Sequence, residues 1–177
     1  TPIVVGGEHI TACPEYVMKE CPAIDISVLG EGEDTFLELV SHLSSGVSLA
    51  NSGESLENIE GIAFRKNGEP HLNPRRARKI GIESIPWPAW HLLPMEKYSG
   101  DDLTYSLGQS ISMPLLASRG CPYVCSFCSS PGMWTTRWES RSPEHLMEEL
   151  LFYIEKYNAT NFDFYDLTPV LKKSWLK

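Results

Sequence analysis

Apolar positions in the first eighty residues come as short runs punctuated by glycine, then as a helical stripe. Ile3-Val4-Val5 is a β-branched run stopped by Gly6-Gly7, the pattern of a buried parallel strand entering a loop. Pro14 suits the first turn of a helix over 14–20, and Asp25-Ile26-Ser27-Val28-Leu29 is a second strand, followed by Gly30-Glu31-Gly32-Glu33. Phe36, Leu39, Val40 and Leu43 then fall at i, i+3, i+4 and i+7 and are the expected core face of a helix. Acids crowd its first turn and Gly46 supplies its stop. Strands over 59–65 and 70–72 flank Asn67-Gly68, the signature of a type I′ hairpin. Two β-α steps and a terminal ribbon make part of an open α/β sheet.

Residues 74–110 have a different texture. Pro74, Pro86, Pro88 and Pro94 interrupt any regular element, and Trp87, Trp90 and Tyr98 are interspersed. A flexible linker does not carry aromatics this way, so an ordered connector with its rings packed across two domains is expected. A second α/β start follows: a strand over 113–117, a long loop over 119–138, and a helix opened by Ser142-Pro143-Glu144 with N-cap, proline and acid in order. Met147, Leu150, Leu151 and Ile154 are its expected core face, and 161–165 the next strand. From Pro169 another helix is expected. This order is how a parallel barrel or doubly wound sheet begins.

Composition narrows the class. The 177 residues are 42% hydrophobic, too apolar for a disordered chain, and no apolar run approaches a membrane span. Fifteen basic residues against 23 acidic ones give a net charge of −8, which excludes the basic field that nucleic-acid binding needs. The one basic cluster, Arg75-Arg76-Ala77-Arg78-Lys79, reads as a solvated connector. The first residues, Thr1-Pro2, show no initiator Met, basic n-region or signal core, so the chain reads as a piece of a longer one.

Five cysteines are an odd count, and Cys121, Cys125 and Cys128 are crowded together. That argues against a disulfide framework and for reduced thiols in a cytoplasmic setting. Cys13 and Cys21 read as small apolar residues of the interior. Three thiolates at C-x3-C-x2-C spacing directly after a strand suit iron–sulfur or zinc. A structural zinc wants four closed ligands, and His145 is 17 positions on, inside a helix. A cubic 4Fe–4S cluster on three cysteines leaves one iron open for a substrate.

At Arg119-Gly120-Cys121-Pro122-Tyr123-Val124-Cys125-Ser126-Phe127-Cys128 the sequence resembles the radical S-adenosylmethionine superfamily. The cysteine spacing matches in full, and an aromatic, Phe127, precedes the last cysteine. Ser118-Arg119-Gly120 and Ser129-Ser130-Pro131 are typical of the cobalamin-dependent class. The resemblance implies that Cys121, Cys125 and Cys128 hold a 4Fe–4S cluster whose open iron chelates the methionyl group of S-adenosylmethionine. One electron, from a donor such as flavodoxin or ferredoxin, then splits the C5′–S bond to a 5′-deoxyadenosyl radical that acts on a small-molecule substrate. It places Phe127 near the adenine and Asp166 near the methionyl amine, although Asp163-Phe164-Tyr165-Asp166 departs from the family's Gly-Gly-Glu. Arg137 and Arg141 are candidates for a carboxylate, with surface arginines the simpler reading.

The first half also resembles the end of a cobalamin-binding domain, with Gly6, Gly7, Gly30, Glu31 and Gly32 where backbone would approach a corrin closely. His9 is not taken as the cobalt ligand, because the signature Asp-x-His-x-x-Gly is absent from these residues. The expected architecture is therefore α/β throughout. Residues 1–79 are the C-terminal part of a Rossmann-like cobalamin-binding domain, 80–110 a Pro/Trp-rich connector, and 111–177 the start of a TIM-like (β/α) partial barrel. The family's outcomes include methyl transfer and tetrapyrrole-type ring chemistry. The alternatives are a methylthiotransferase-type radical enzyme, for which Cys13 and Cys21 are too few cysteines, and a non-catalytic metal-binding module.

Overall fold

The computed structural model describes residues 1–45, 53–78, 81–97, 111–169 and 171–176, which form two compact units. Gly46, Lys79 and Tyr98 lie outside the described residues. The first unit comprises 1–79 and 123–136, and the second 80–122 and 137–177.

In the first unit, β1 (Val4–Val5) pairs parallel with β2 (Ile26–Val28), which pairs antiparallel with β3 (Ile62–Lys66), itself antiparallel to β4 (Glu69–Leu72). Asn67 and Gly68 both take positive φ, 54° and 87°, so the β3–β4 turn is the hairpin the sequence announces. Helices α1 (Glu8–Ala12) and α2 (Pro14–Glu20) precede β2, and α3 (Glu33–Ser44) and α4 (Gly53–Leu56) follow it. The period of two along the strands sorts the core into layers. Ile26, Val28, Ile62 and Phe64 meet Leu39 of α3 and Leu56 of α4, whereas Leu29 and Ala63 meet Ile10 and Met18 of α1 and α2.

The face of α3 is narrower than its spacing announces. Leu39 is fully buried and Leu43 packs on the core, but Phe36 and Val40 are exposed. Thr35 takes an interior place instead, its hydroxyl bonded by Arg76. A short sheet receives only the ridge of the helix closest to it.

In the second unit, β5 (Ser112–Leu115) runs parallel to β8 (Asn161–Phe164), with α6 (Pro143–Tyr157) as the crossover. The strands β6 (Ser118–Arg119) and β7 (Glu139–Ser140) form a small antiparallel pair; between them α5 (Ser130–Trp134), which belongs to the first unit, is a helix inside the stretch expected to be loop. Ser142 caps α6, its side chain accepting from the His145 N–H at 3.3 Å. After Pro169 the chain makes a 3₁₀ turn, Lys173–Leu176, in place of the expected helix.

The buried face of α6 differs from the expected one. Leu146, Glu149 and Tyr153 point inward with Leu150, while Met147, Leu151 and Ile154 are exposed. A buried network decides this rotation. Arg141 is 7% exposed and its guanidinium meets the Glu149 carboxylate, the Leu116 carbonyl at 3.0 Å and the His145 ring at 3.0 Å. Tyr153 donates to Glu149 and accepts from Trp90 Nε1 at 3.0 Å. Arg141 is therefore an interior residue and not the surface arginine expected. The connector rings are also placed differently: Trp90 and Trp87 both pack within the second unit, Trp87 against His145 and Phe152.

Burial first, then the hydrogen bond to Glu149, hold the Tyr153 phenol above its ordinary value of 10.0. The folded chain thus keeps a proton that the unfolded chain releases, so this stabilisation is complete below about pH 10 and falls as pH rises beyond it. Urea unfolding from about pH 8 to 11 is expected to show a steeper alkaline loss for the wild type than for Tyr153→Phe. Equal slopes would show that the phenol titrates as freely in the folded chain as in the unfolded one.

Among the described residues no helix is long and apolar enough to cross a membrane.

Candidate metal and cofactor site

Both glycine turns sit where parallel strands end. Gly6 and Gly7 follow β1, and Gly30, Glu31 and Gly32 follow β2, the carboxyl edge at which open α/β sheets take their ligands. Gly7 and Gly30 have φ of 101° and 74°, and a Cβ at either would meet nothing within 4 Å. Backbone is therefore open to a ligand at these two positions. At Gly6 and Gly32 a Cβ would stand in ordinary van der Waals contact with Val28. Beside the second turn is a cavity of about 170 Å³, lined by Gly30, Glu31, Asp34, Arg75, Arg78 and Thr135 among others.

The arginine run belongs to this cavity, which corrects its reading as a solvated connector. Leu29 N–H bonds the Gly61 carbonyl at 2.8 Å, and Gly61 N–H bonds the Pro74 carbonyl at 2.8 Å. These two bonds carry residues 75–78 along the carboxyl end of β2. Arg76 pairs with Glu38, and Arg78 pairs with Glu31 at 3.1 Å, both partners of the latter pair being 9% exposed. Arg75 bonds the Thr11 carbonyl at 3.0 Å and the Gly132 carbonyl at 2.7 Å. Arg78 bonds the Trp134 carbonyl and lies over the Trp134 ring at 5.9 Å. Sequence reasoning missed these roles because the acceptors are backbone carbonyls about sixty residues away.

The three cysteines lie on the loop that leaves β6. Cys121 falls in the second unit and Cys125 and Cys128 in the first. Cys128 N–H bonds the Cys125 carbonyl at 3.0 Å, closing a turn between these two. Ser130 N–H, at the start of α5, points at Cys128 Sγ at 3.5 Å. None of the cysteines is in a disulfide; Cys125 and Cys128 are exposed and Cys121 half-buried. Among the described residues no three His, Cys, Asp or Glu side chains are gathered closely enough to hold a metal ion. Convergence of thiolates is commonly coupled to metal binding, so a loop of free thiols need not be preformed.

The donor set nonetheless fits a thiolate-held cluster. Three free thiols share one loop, a backbone N–H is aimed at one sulfur, and the Ser130 hydroxyl is buried with no hydrogen-bond partner among the described residues. Hydrogen bonds to ligating sulfurs are a principal control on cluster potential.

The remaining candidates are placed as follows. Phe127 is 90% exposed on the cysteine loop. Asp166 follows β8 and accepts from Ala117 N–H at 3.1 Å and from the Ser118 N–H and hydroxyl, tying β8 to the strand that leads to Cys121. Arg137 pairs with Glu139 at 3.6 Å. His9 and Cys13 contact each other at 3.8 Å, at α1 and its C-cap.

The two units are a layered α/β unit with open glycine turns and a β-α-β unit whose first crossover carries a three-cysteine loop. No family profile matches the chain. It is 39% identical over 171 residues to an uncharacterized methyltransferase of Pyrococcus horikoshii, an alignment of 97% of this chain and 34% of that protein. It is 28% identical to the anaerobic magnesium-protoporphyrin IX monomethyl ester cyclase of a Synechocystis strain, across 97% of this chain and 32% of that one. Among solved structures it resembles the cobalamin-dependent S-adenosylmethionine radical enzyme OxsB, with aqua-cobalamin and S-adenosylmethionine bound, at TM-score 0.66 and 22% identity, covering 93% of this chain and 21% of that one. The chain thus spans about a third of the length of the curated relatives it matches. It is thus similar over nearly its whole length to proteins named as methyltransferases and cyclases, and it shares its fold with a cobalamin-dependent S-adenosylmethionine radical enzyme.

Proposed function

We propose that this chain forms part of an enzyme that cleaves S-adenosylmethionine reductively, with Cys121, Cys125 and Cys128 holding a 4Fe–4S cluster and the first unit contributing to a cobalamin site. The observation that carries the reading is the C-x3-C-x2-C loop, free of disulfides, leaving β6 just after β5 at the head of a parallel β-α-β unit. When bound, a 4Fe–4S cluster would supply low-potential electrons for reductive cleavage of S-adenosylmethionine, and cobalamin would supply a carrier for methyl or radical chemistry.

The chain's own residues have definable parts in this. Cys121, Cys125 and Cys128 would hold the cluster, offering it three soft thiolate ligands from one loop. Gly7 and Gly30 let backbone approach a bulky planar ligand without a Cβ between. Phe127, exposed on the loop, offers a ring for the adenine to stack on. Asp166 holds the end of β8 against Ala117 and Ser118, and so fixes the backbone from which the loop departs.

Methyl transfer or ring closure on a small organic substrate is the outcome in keeping with the relatives, with an electron donor of flavodoxin or ferredoxin type. Five free cysteines suit a reducing, cytoplasmic setting. The test is anaerobic reconstitution of the full-length protein. Iron and acid-labile sulfide are expected at about four each per chain, the stoichiometry of a cubic cluster. The cluster spectrum should change on adding S-adenosylmethionine, and 5′-deoxyadenosine should accumulate with reductant. Zinc without sulfide would overturn the reading in favour of a structural metal module.

A further inference from the structure

We propose that Arg75 and Arg78 are positioning residues that hold the Cys125–Cys128 end of the cysteine loop in place. The inference rests on the reading of that loop as a cluster site. It is carried by a continuous chain of contacts inside the first unit. Glu31, in the glycine turn after β2, pairs with Arg78 at 3.1 Å, with both side chains 9% exposed. Arg78 reaches the Trp134 carbonyl and covers the Trp134 ring. Arg75 spans two elements, taking the Gly132 carbonyl of α5 with one arm and the Thr11 carbonyl of α1 with the other. The far end of α5 begins at Ser130, whose N–H points at Cys128 Sγ. Two guanidinium groups thus grip the carbonyls of a five-residue helix whose first N–H addresses a cluster sulfur.

A second observation shows that something must hold this segment. Thr135, directly after α5, has φ 58° and ψ −164°, a region occupied almost solely by glycine. A β-branched residue stays there only when its surroundings over-determine it. The Arg78 contacts on the preceding residue, Trp134, are such a constraint, and Thr135 itself lines the cavity that Arg75 and Arg78 share with the glycine turn. Removal of the grip lets Thr135 relax, which moves α5 and with it the Ser130 N–H.

The order of elements carries a consequence for the glycine turn as well. Because Glu31 anchors Arg78, a ligand that displaces the turn after β2 pulls on the same guanidinium that holds Trp134. Arg78 is then the mechanical link between the glycine turn and the cysteine loop.

The test uses cadmium ion as a soft probe of the thiolates in the metal-free full-length protein, read by its thiolate charge-transfer absorbance. Arg78→Ala is expected to weaken cadmium binding about tenfold, the effect of losing one charge-assisted hydrogen bond. Adding Thr135→Gly to Arg78→Ala is expected to restore most of that affinity, because glycine adopts the positive φ without strain. A purely structural role for Arg78 would not be repaired at residue 135. In reconstituted protein, the midpoint potential of Arg78→Ala should move negative, since the N–H on Cys128 Sγ favours the more negatively charged reduced state. Where Arg78→Ala fails to fold, Arg78→Lys keeps the charge opposite Glu31 and loses the planar fork; it should show the same cadmium loss at an unchanged thermal midpoint. Unchanged cadmium affinity in Arg78→Ala, or no recovery with Thr135→Gly, overturns the proposal even where a cluster assembles. Cadmium loss in a protein whose wild type assembles no 4Fe–4S cluster would instead retire the function proposed above and leave the grip standing.

Discussion

Serine at Cys121, Cys125 or Cys128 is expected to abolish 5′-deoxyadenosine formation, each replacement alone being sufficient. A hydroxyl is a hard, poorly acidic ligand and does not replace a thiolate on iron. The loop carries three cysteines and no fourth, so it has no spare thiolate to replace a lost one. The contrast lies in the other two cysteines. Cys13 is half-buried at the cap of α1, with its thiol on the His9 carbonyl at 3.2 Å, and Cys21 is exposed at the end of α2. Cys13→Ser and Cys21→Ser should keep both iron content and cleavage. Anaerobic assay of the five variants beside the wild type, with iron quantified in each, checks this. Full cleavage by Cys125→Ser would sink the assignment of the loop.

The second large effect is expected from Glu149→Leu, far from the cysteines in chemistry but not in consequence. The Glu149 carboxylate is 2% exposed and is met by both Arg141 and Tyr153. Leucine leaves the Arg141 guanidinium buried opposite no charge, and breaking one side of a buried pair costs about 3–5 kcal/mol. Arg141 Nη1 also holds the Leu116 carbonyl, and Arg141 N–H the Ala117 carbonyl at 2.9 Å, so the turn between β5 and β6 loosens with it. Replacing both partners, Arg141→Met with Glu149→Leu, should recover most of the loss, because a buried ion pair exchanged for apolar groups of similar volume is close to neutral. Urea unfolding followed by near-ultraviolet circular dichroism measures both variants. A loss below about 1 kcal/mol for Glu149→Leu would mean that the pair is solvated in the folded chain.

Much of the fold was legible because it rests on local chemistry. The Asn67-Gly68 turn, the Ser142-Pro143-Glu144 helix start and the Pro14 helix start are decided within a few residues, and each stands where its signal puts it. The glycine turns were likewise visible as the ends of β-branched runs. The orientation of helices was less legible. Spacing put Met147, Leu151 and Ile154 of α6 inside, whereas the buried stripe runs through Leu146, Glu149 and Tyr153. A count of apolar residues cannot see that a carboxylate becomes an interior residue once Arg141, ahead of the helix, and Trp90, on another segment, come to meet it and its Tyr153 partner.

The candidate site divides in the same way. C-x3-C-x2-C is a pattern of ligands on one loop, and ligand type and spacing are written in the sequence itself. What sets the loop's surroundings is not. Arg75 and Arg78 looked like solvated charge, because their partners are the main-chain carbonyls of Thr11, Gly132 and Trp134, which no side-chain pattern reveals. Local propensity determined which elements form, and residue type and spacing which atoms are candidates for a metal. The tertiary structure alone decided which faces are buried and which charges are spent on backbone, since those depend on acceptors that only the folded chain brings within reach.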